Sequence, residues 1–477
     1  MRSLISWSNR VPINLAAVII AIFLVLSGLA GAISPFLGPY ILLVIAAPAI
    51  LFFVLNSENI RKTVLTSQHI KLFLWGLLIA QRALTSRIES VSVSSVSLSD
   101  IFTEVAITGL VFACCVFFML QRLAEHKPLR ISRARSWLLL YSLFAFASLL
   151  WTPNRYYAGF WLIRLLSMTV LIVLYFEETD ETATRKFLVA TVIGMLPYPA
   201  LVITSAISGS FSVAHRVQSL WLHPTVATIL TSSLGMLFLA YVLQKQKPVW
   251  VFALLGGCSF ASAYLAGGKS GAFGAGLSLI VLLVIGWQSR IWLRLLFILI
   301  ILCIALWALR PNLEVGILAH LSYVEDRPLD TMYTRLDLWK GAIQTWLSSP
   351  LTMLFGHGFT SARIIGLTTA SGAWNATHAH NSVITSLVEL GLLGTVPFLL
   401  LILGILLKVF RDFGKLAHSP VLPPFVALFV LLVSSMADTV FGGLLLPTFY
   451  LLVGLLISID ALSPDKATPD REKQATS

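Results

Sequence analysis

Residues 225–243, TVATILTSSLGMLFLAYVL, carry no charge, and after the basic link Gln244-Lys245-Gln246-Lys247-Pro248 the chain returns to a second uncharged run at 249–266, VWVFALLGGCSFASAYLA. About 20 apolar residues in helical form cross the hydrocarbon core of a bilayer, and neither run shows the strict alternation of a barrel strand. The pair reads as a helical hairpin in a membrane. Outward from it, further apolar runs fall at 13–32, 36–55, 71–86, 101–120, 137–151, 158–176, 187–208, 271–288, 292–309, 382–407, 421–438 and 444–461. Of these, 71–86 and 137–151 are short for a crossing. The whole chain of 477 residues is 57% apolar and 11% charged, with a mean hydropathy of +0.89. Soluble domains carry roughly 25% charged residues, so a large soluble enzyme is excluded. The fold class is all-α: a polytopic membrane helical bundle of about 12–14 transmembrane helices.

The net charge of +12 is spread between the hydrophobic runs rather than clustered on a soluble element, which argues against nucleic acid as a partner. With a cytoplasmic N-terminus, 22 of the 33 Lys and Arg fall on cytoplasmic segments, among them Arg122, Lys127, Arg130, Arg133 and Arg135. This positive-inside bias places both termini in the cytoplasm. The first run follows Arg2 and Arg10 but lacks a clear small-residue cleavage site, and reads as a retained span. The four cysteines lie inside apolar runs and define no disulfide framework. The chain divides into N-terminal transmembrane helices (1–136), central transmembrane helices (137–309), a long outer loop (310–380), C-terminal transmembrane helices (381–462) and a charged disordered tail (463–477). A structureless loop of about 70 residues is improbable, and the amphipathic stretch 331–347 predicts short helices at the membrane surface.

A charge at membrane depth costs about 2.5–3.5 kcal/mol, so cations outside the cytoplasmic flanks call for a reason. Lys269 lies in the turn Gly267-Gly268-Lys269-Ser270-Gly271, Arg216 in the outer loop ahead of Pro224, Arg335 in Tyr333-Thr334-Arg335-Leu336-Asp337-Leu338-Trp339, and Arg164 within an apolar run. On the functional reading they form a cationic pocket for a lipid-borne anion, with arginine forks and a lysine point charge. On the plainer reading each snorkels to the interface or pairs with a carboxylate, Arg335 with Asp337 or Asp330. Arg335 and Trp339 stand one helical turn apart, which puts a cation and an indole on one face.

The second signal is Thr377-His378-Ala379-His380-Asn381, followed by an apolar run that contains Glu389. Asn381 can cap the helix that starts there, and the helix start offers partial positive charge to an anion. A histidine at this membrane edge suits a general base, His380 first and His378 as the alternative. The competing reading is a pair of ordinary polar residues at a loop-to-helix junction, and no third metal ligand is close in sequence. Glu389 sits two turns into the run and is buried unless it faces a cavity or a cation; orienting His380 or holding an arginine are the two roles open to it. The small residues of 271–276 suit close helix packing. No phosphate-binding or dinucleotide fingerprint is present.

His378-Ala379-His380-Asn381 with Glu389-Leu390-Gly391 and Gly394 resembles the bacterial O-antigen ligase and polymerase family, which includes exopolysaccharide polymerases. Leu150-Trp151-Thr152-Pro153, Arg216 with His223-Pro224-Thr225, Lys269-Ser270-Gly271, Arg335 with Trp339, Phe355-Gly356-His357-Gly358-Phe359, and Asp438 ahead of Leu446-Pro447 extend the resemblance over about residues 137–460. Where many members have a Ser-Arg pair in the short outer turn, this chain has Gly268-Lys269, which keeps the charge and loses the fork.

The resemblance implies a GT-C-like membrane glycosyltransferase of the bacterial inner membrane, its active site facing the periplasm, that polymerises undecaprenyl-diphosphate-linked repeat units. It implies His380 and Arg335 as catalytic residues, with Arg216, Lys269, Arg164, His378, Asn381, Glu389, Trp339 and Tyr333 binding substrate. It implies no metal and no cofactor. The partners implied are the lipid-linked glycan donor, a glycan acceptor and membrane lipids, with a chain-length regulator or flippase of the same pathway. An O-antigen ligase that transfers the glycan to lipid A core is the alternative within the family. A transporter or flippase is the rival of another class, and predicts inverted repeats with charges at mid-bilayer. A length regulator without catalysis is the third reading.

Overall fold

The computed structural model describes residues 67–84, 107–116, 118–120, 133–175, 181–207, 224–246, 248–286, 330–372, 375–376, 378–411, 413–437 and 453. The runs 13–32, 36–55 and 292–309, most of 444–461, the loop with Arg216, and the tail 463–477 lie outside them. The regular elements among the described residues are helices and one small hairpin. The helices are α1 (Ser67–Leu84), α2 (Arg133–Ala147, continued by a 3-10 turn, Ser148–Leu150), α3 (Arg155–Tyr175), α4 (Glu181–Met195), α5 (Pro197–Ile207), α6 (Pro224–Leu243), α7 (Val249–Ala266), α8 (Lys269–Gly286), α9 (Asp330–Trp346), α10 (Pro350–Phe355), α11 (Ala362–Ile365), α12 (Ser382–Arg411), α13 (Phe413–Leu416) and α14 (Leu422–Ser434). A further helical segment lies at 107–116. Among the described residues four helices are long and apolar enough to cross a membrane: Arg155–Leu174, Thr225–Leu243, Val249–Ala266 and Ser382–Arg411. The protein is an all-α polytopic membrane protein, as its sequence predicts.

The run expected at 187–208 is two helices, because Pro197 has no N–H to continue the ladder of α4 and instead opens α5. The short runs 71–86 and 137–151 are helices α1 and α2.

α6 sits at the centre, against α7, α8 and α14, with Ile229, Leu234, Leu237, Phe238 and Ala240 all buried. A helix apolar all round belongs in such a place. Close approach comes from small residues: a Cβ on Gly271 would lie 2.7 Å from the Ile229 nitrogen of α6, and one on Gly274 2.8 Å from the Val430 oxygen of α14. Serines stitch the same interfaces, Ser233 Oγ donating to the Ala427 carbonyl and Ser278 Oγ to that of Val426, both at 2.8 Å.

α12 packs along α2 and carries a discontinuity at Gly391 (φ 60°, ψ −164°). The loop after α10 closes on this break. His357 N–H donates to the Val388 carbonyl at 2.9 Å and Gly358 N–H to that of Glu389 at 2.8 Å. Gly356 and Gly391 touch backbone to backbone: a Cβ on Gly391 would stand 2.4 Å from the Leu354 oxygen, and one on Gly356 2.4 Å from the Glu389 oxygen. Phe359 ties the loop to the turn after α2, its N–H donating to Ser148 Oγ at 3.0 Å and its carbonyl accepting from Thr152 Oγ1 at 3.1 Å. The loop and the broken helix therefore interlock, and that interlock positions the candidate site.

Candidate functional site

A small core separate from the main one joins the helix that carries Arg335 to the His-Ala-His motif. Leu338 and Ala342 of α9, Ala362 of α11, Leu367 and Ala376 of the hairpin, Ala379 of the His-Ala-His motif and Val388 of α12 are buried together, with Trp346 and Ile384 against them. The hairpin is β1 (Leu367–Thr368) with β2 (Asn375–Ala376), antiparallel, Leu367 opposite Ala376. Burial of these apolar side chains fixes the placement of α9 relative to α11, the hairpin, the His-Ala-His motif and the start of α12.

The amphipathic stretch expected at 331–347 is α9. Arg335 is half-buried one turn before Leu338 and two before Ala342, so its helix face is the one laid on Ala379 and Val388. Trp339 lies one turn on, and its indole N–H is buried with no hydrogen-bond partner among the described residues. Tyr333 occupies the first turn of α9. Asp337, an expected partner of Arg335, turns elsewhere: its carboxylate accepts from the hydroxyl and the N–H of Ser371. Those two donors hold its carboxyl below the usual range, with Lys340 assisting.

His378 and His380 bring their rings to a centroid distance of 4.2 Å, tilted by 53°. His380 is in the left-handed region (φ 49°), a conformation that costs a non-glycine residue energy and is retained where the surroundings enforce it. The enforcement is visible on its C-terminal side. Asn381 caps α12, its Oδ1 accepting from the N–H groups of Val383 and Ile384 at 3.0 and 3.1 Å, and its Nδ2 donates to the Met436 carbonyl at 3.2 Å. Ser382 N–H donates to the Ser435 carbonyl at 2.8 Å. The first N–H groups of α12 are thus engaged by protein, so the helix start is not the open anion site its sequence suggests. Asn381 acts as a fastener between α12 and the end of α14.

Glu389 is buried, and its carboxylate accepts from the backbone N–H groups of Thr360 and Ala362. Thr360 stands at φ 60°, a genuine outlier for a β-branched residue, held inside the interlock. Lys269 is exposed at the first residue of α8, where Gly268 N–H donates to Thr228 Oγ1 at 2.8 Å. A cation at the positive end of a helix opposes the macrodipole, which suits contact with an anion better than stability. The same end of α8 reaches the His motif through serines: Ser434 Oγ donates to the Ser270 carbonyl at 3.1 Å, and Ser435 holds Ser382.

Arg164, expected within an apolar run, lies in α3. It is wholly buried at the tenth residue of α3, with its guanidinium 5.4 Å from the Trp161 ring centroid. Trp161 meets Tyr157 edge to face at 6.3 Å. Tyr157 in turn faces Arg363, whose Nη1 donates to the phenol oxygen at 3.2 Å and whose guanidinium lies 5.8 Å from the ring. Arg363, Tyr157 and Thr360 are absent from the sequence reading. The signal that could have found them is Gly356-x-Gly358 close ahead of an arginine in a loop that has to meet a helix. Arg216 lies outside the described residues. Among the described residues no group of three His, Cys, Asp or Glu side chains could hold a metal ion.

A comparison with curated proteins returns no match. A comparison with protein families matches residues 254–399, from α7 through the outer loop and into α12, to the family described as O-antigen ligase. That span contains Lys269, Arg335, Arg363, both histidines, Glu389 and the interlock. The chain is a membrane protein whose residues 254–399 are similar to the O-antigen ligase family.

Proposed function

We propose that this protein is a glycosyltransferase of the bacterial inner membrane that polymerises undecaprenyl-diphosphate-linked repeat units on the periplasmic side. The observation that carries the proposal is the small core that holds Arg335's helix face against Ala379, between two histidines whose rings lie 4.2 Å apart. Transfer from a lipid diphosphate calls for a group that takes the acceptor proton and for positive charge at the leaving diphosphate, and the elements joined in this core carry an imidazole and a guanidinium. The acceptor hydroxyl oxygen attacks the anomeric carbon as its proton passes to His380. The bond from that carbon to the phosphate oxygen breaks with its electron pair, and Arg335, with Lys269 and Arg216, stabilises the charge that develops on the leaving diphosphate. Attack opposite the leaving group inverts the anomeric centre. His378, packed against His380, supports the orientation of the base, and Trp339, one turn after Arg335 on α9, offers an indole donor. The chemistry on this reading uses no metal and no nucleotide.

Transfer to lipid A core is the second reading, favoured by the family description itself. Purified full-length protein is given the undecaprenyl-diphosphate repeat unit alone or with lipid A core. Elongated lipid-linked glycan in the first arm supports the polymerase, product only in the second supports the ligase, and no new glycosidic bond in either refutes the transferase.

A further inference from the structure

We infer that α10 is a lipid-binding surface, with Leu351, Leu354 and Phe355 immersed in the edge of the hydrocarbon on the side of the His-Ala-His motif, and that the Gly391 break marks the level at which α12 leaves the bilayer core. The inference goes beyond the transferase reading and does not rest on it.

α12 has 30 residues and is therefore about 45 Å long, against a hydrocarbon core of about 30 Å. Part of it must stand outside the core, and the exposure of its side chains shows which part. The exposed large apolar residues of α12, among them Leu393, Val396, Leu403, Leu407 and Phe410, all follow Gly391. From Leu393 to Phe410 the helix rises about 26 Å, close to one hydrocarbon thickness. From Ser382 to Leu390 no side chain is exposed. Lys408 and Arg411 close the far end, where cations meet headgroups. The lipid-facing stripe thus begins directly beneath the break.

α2 arrives at the same level independently. It runs antiparallel to α12: the Tyr141 and Phe398 ring centroids lie 5.2 Å apart, and a Cβ on Gly394 would lie 2.7 Å from the Phe144 ring. Its exposed Leu140, Leu143, Phe146 and Leu150 form a second stripe, which ends at Trp151. There it meets α10. Phe355 stands edge to face with Trp151 at 6.0 Å and stacks with Phe144 at 6.4 Å, while the Leu354 carbonyl lies against Gly391. Leu351 is 70% exposed and Leu354 38%. α10 therefore continues two surfaces that face lipid, and a contiguous apolar patch of this kind calls for a membrane to cover it. Aromatic rings gathered at the end of a span belong at the boundary between hydrocarbon and headgroups.

α10 is also firmly built. Ser349 and Thr352 form a capping box at its start, and the Trp346 indole N–H donates to the Met353 carbonyl at 3.0 Å. Trp346 packs on the small core, so the hold of the bilayer on α10 passes to α9 and to the His-Ala-His motif. The segment Ser382–Leu390 rises about 13 Å above the break, which sets that motif on the headgroup side of the boundary.

The test places the photoreactive side chain of benzoylphenylalanine at one position at a time in the full-length chain, reconstituted in vesicles of phosphatidylethanolamine and phosphatidylglycerol. The positions are Leu351 and Leu354 of α10, with Leu403 in the α12 stripe and Ala370, exposed in the turn between β1 and β2, as comparators. Mass spectrometry reads the adducts after irradiation. Leu351 and Leu354 are expected to gain the mass of one phospholipid, joined through an acyl chain, as Leu403 does, while Ala370 gains none. Loss of the lipid adduct at both α10 positions, or adducts there to a second copy of the chain, overturn the inference. Joining through headgroup atoms alone overturns it by placing α10 above the hydrocarbon, and lipid adducts at Ala370 as strong as those at α10 overturn the boundary at Gly391. Should the Leu354 variant fail to fold, Leu351, the more exposed of the two, decides. Lipid adducts at α10 in a protein that forms no glycosidic bond support the inference and refute the transferase. Glycan transfer by a protein whose α10 takes no lipid does the reverse.

Discussion

Gly391→Ala and Gly276→Ala make the same chemical change in two helices, and the structure expects opposite outcomes. Gly391 stands at φ 60° and ψ −164°, a region essentially reserved for glycine, where a side chain costs of order 1–3 kcal/mol. Its new methyl would also sit 2.4 Å from the Leu354 oxygen and 2.6 Å from the Gly356 nitrogen, both backbone atoms that cannot swing aside. Parting the loop from the helix strains or breaks the bonds from His357 and Gly358, each contributing about 1 kcal/mol net. The expected loss of stability is about 3–5 kcal/mol, large for a single substitution. Whatever folded protein remains holds His380 displaced from the loop, and a misplacement of about 1 Å can lower turnover about 100-fold. Gly276 has helical backbone and nothing within 4 Å of its would-be Cβ, so alanine there is neutral or stabilises by up to about 1 kcal/mol. Thermal unfolding in detergent and glycan transfer by the surviving fraction read both variants. A Gly391→Ala protein as stable and active as the parent would refute the interlock, as would Gly276→Ala behaving like Gly391→Ala.

Other outcomes follow from the same geometry. Arg335→Ala is expected to weaken donor use with Arg335→Lys restoring part of it, and full rescue by lysine in a donor titration would argue against a two-pronged grip. Ser233→Ala removes an interhelical bond to Ala427 and is expected to lower stability by about 0.6 kcal/mol, with about 1.7 as the upper end, read by denaturant titration in mild detergent. The Asp337 carboxyl is held low by Ser371, so its grip on the turn at 369–372 is fully present above the ordinary carboxylate range and is lost as pH falls through the lowered value. Hydrogen exchange at the Ser371 amide is expected to be slow at neutral pH and to speed up in Asp337→Asn without acid; equal protection in the variant would contradict this.

How much of this was legible in the sequence differs by element. The hairpin α6–α7 was readable to the residue, because uncharged runs bounded by Lys245, Lys247 and Pro248 leave the chain no other place than the bilayer. α9 was readable from its amphipathic spacing, and the Asn381 cap from the residue type. The fate of Glu389 was not readable: a carboxylate in an apolar run announces that it needs donors, but those donors are backbone groups of Thr360 and Ala362, which carry no side-chain signature. The contact of Arg363 with Tyr157 was not readable, because it depends on how the loop around Ala362 packs, a fact of tertiary structure. The burial of Arg164 against Trp161 was not readable, since hydropathy alone cannot tell a snorkelling arginine from a buried one. The break at Gly391 was hidden by an apolar run that continues through it unchanged.

The most direct test of the account is the rate of new glycosidic bond formation by purified, folded His380→Ala protein given undecaprenyl-diphosphate repeat units, beside the parent protein under the same conditions. Removal of a positioned general base is expected to cut turnover about 10²–10⁴-fold while donor binding stays near the parent value. Transfer at the parent rate by the folded variant would contradict the role assigned to the histidine pair, and with it the reaction proposed for the site.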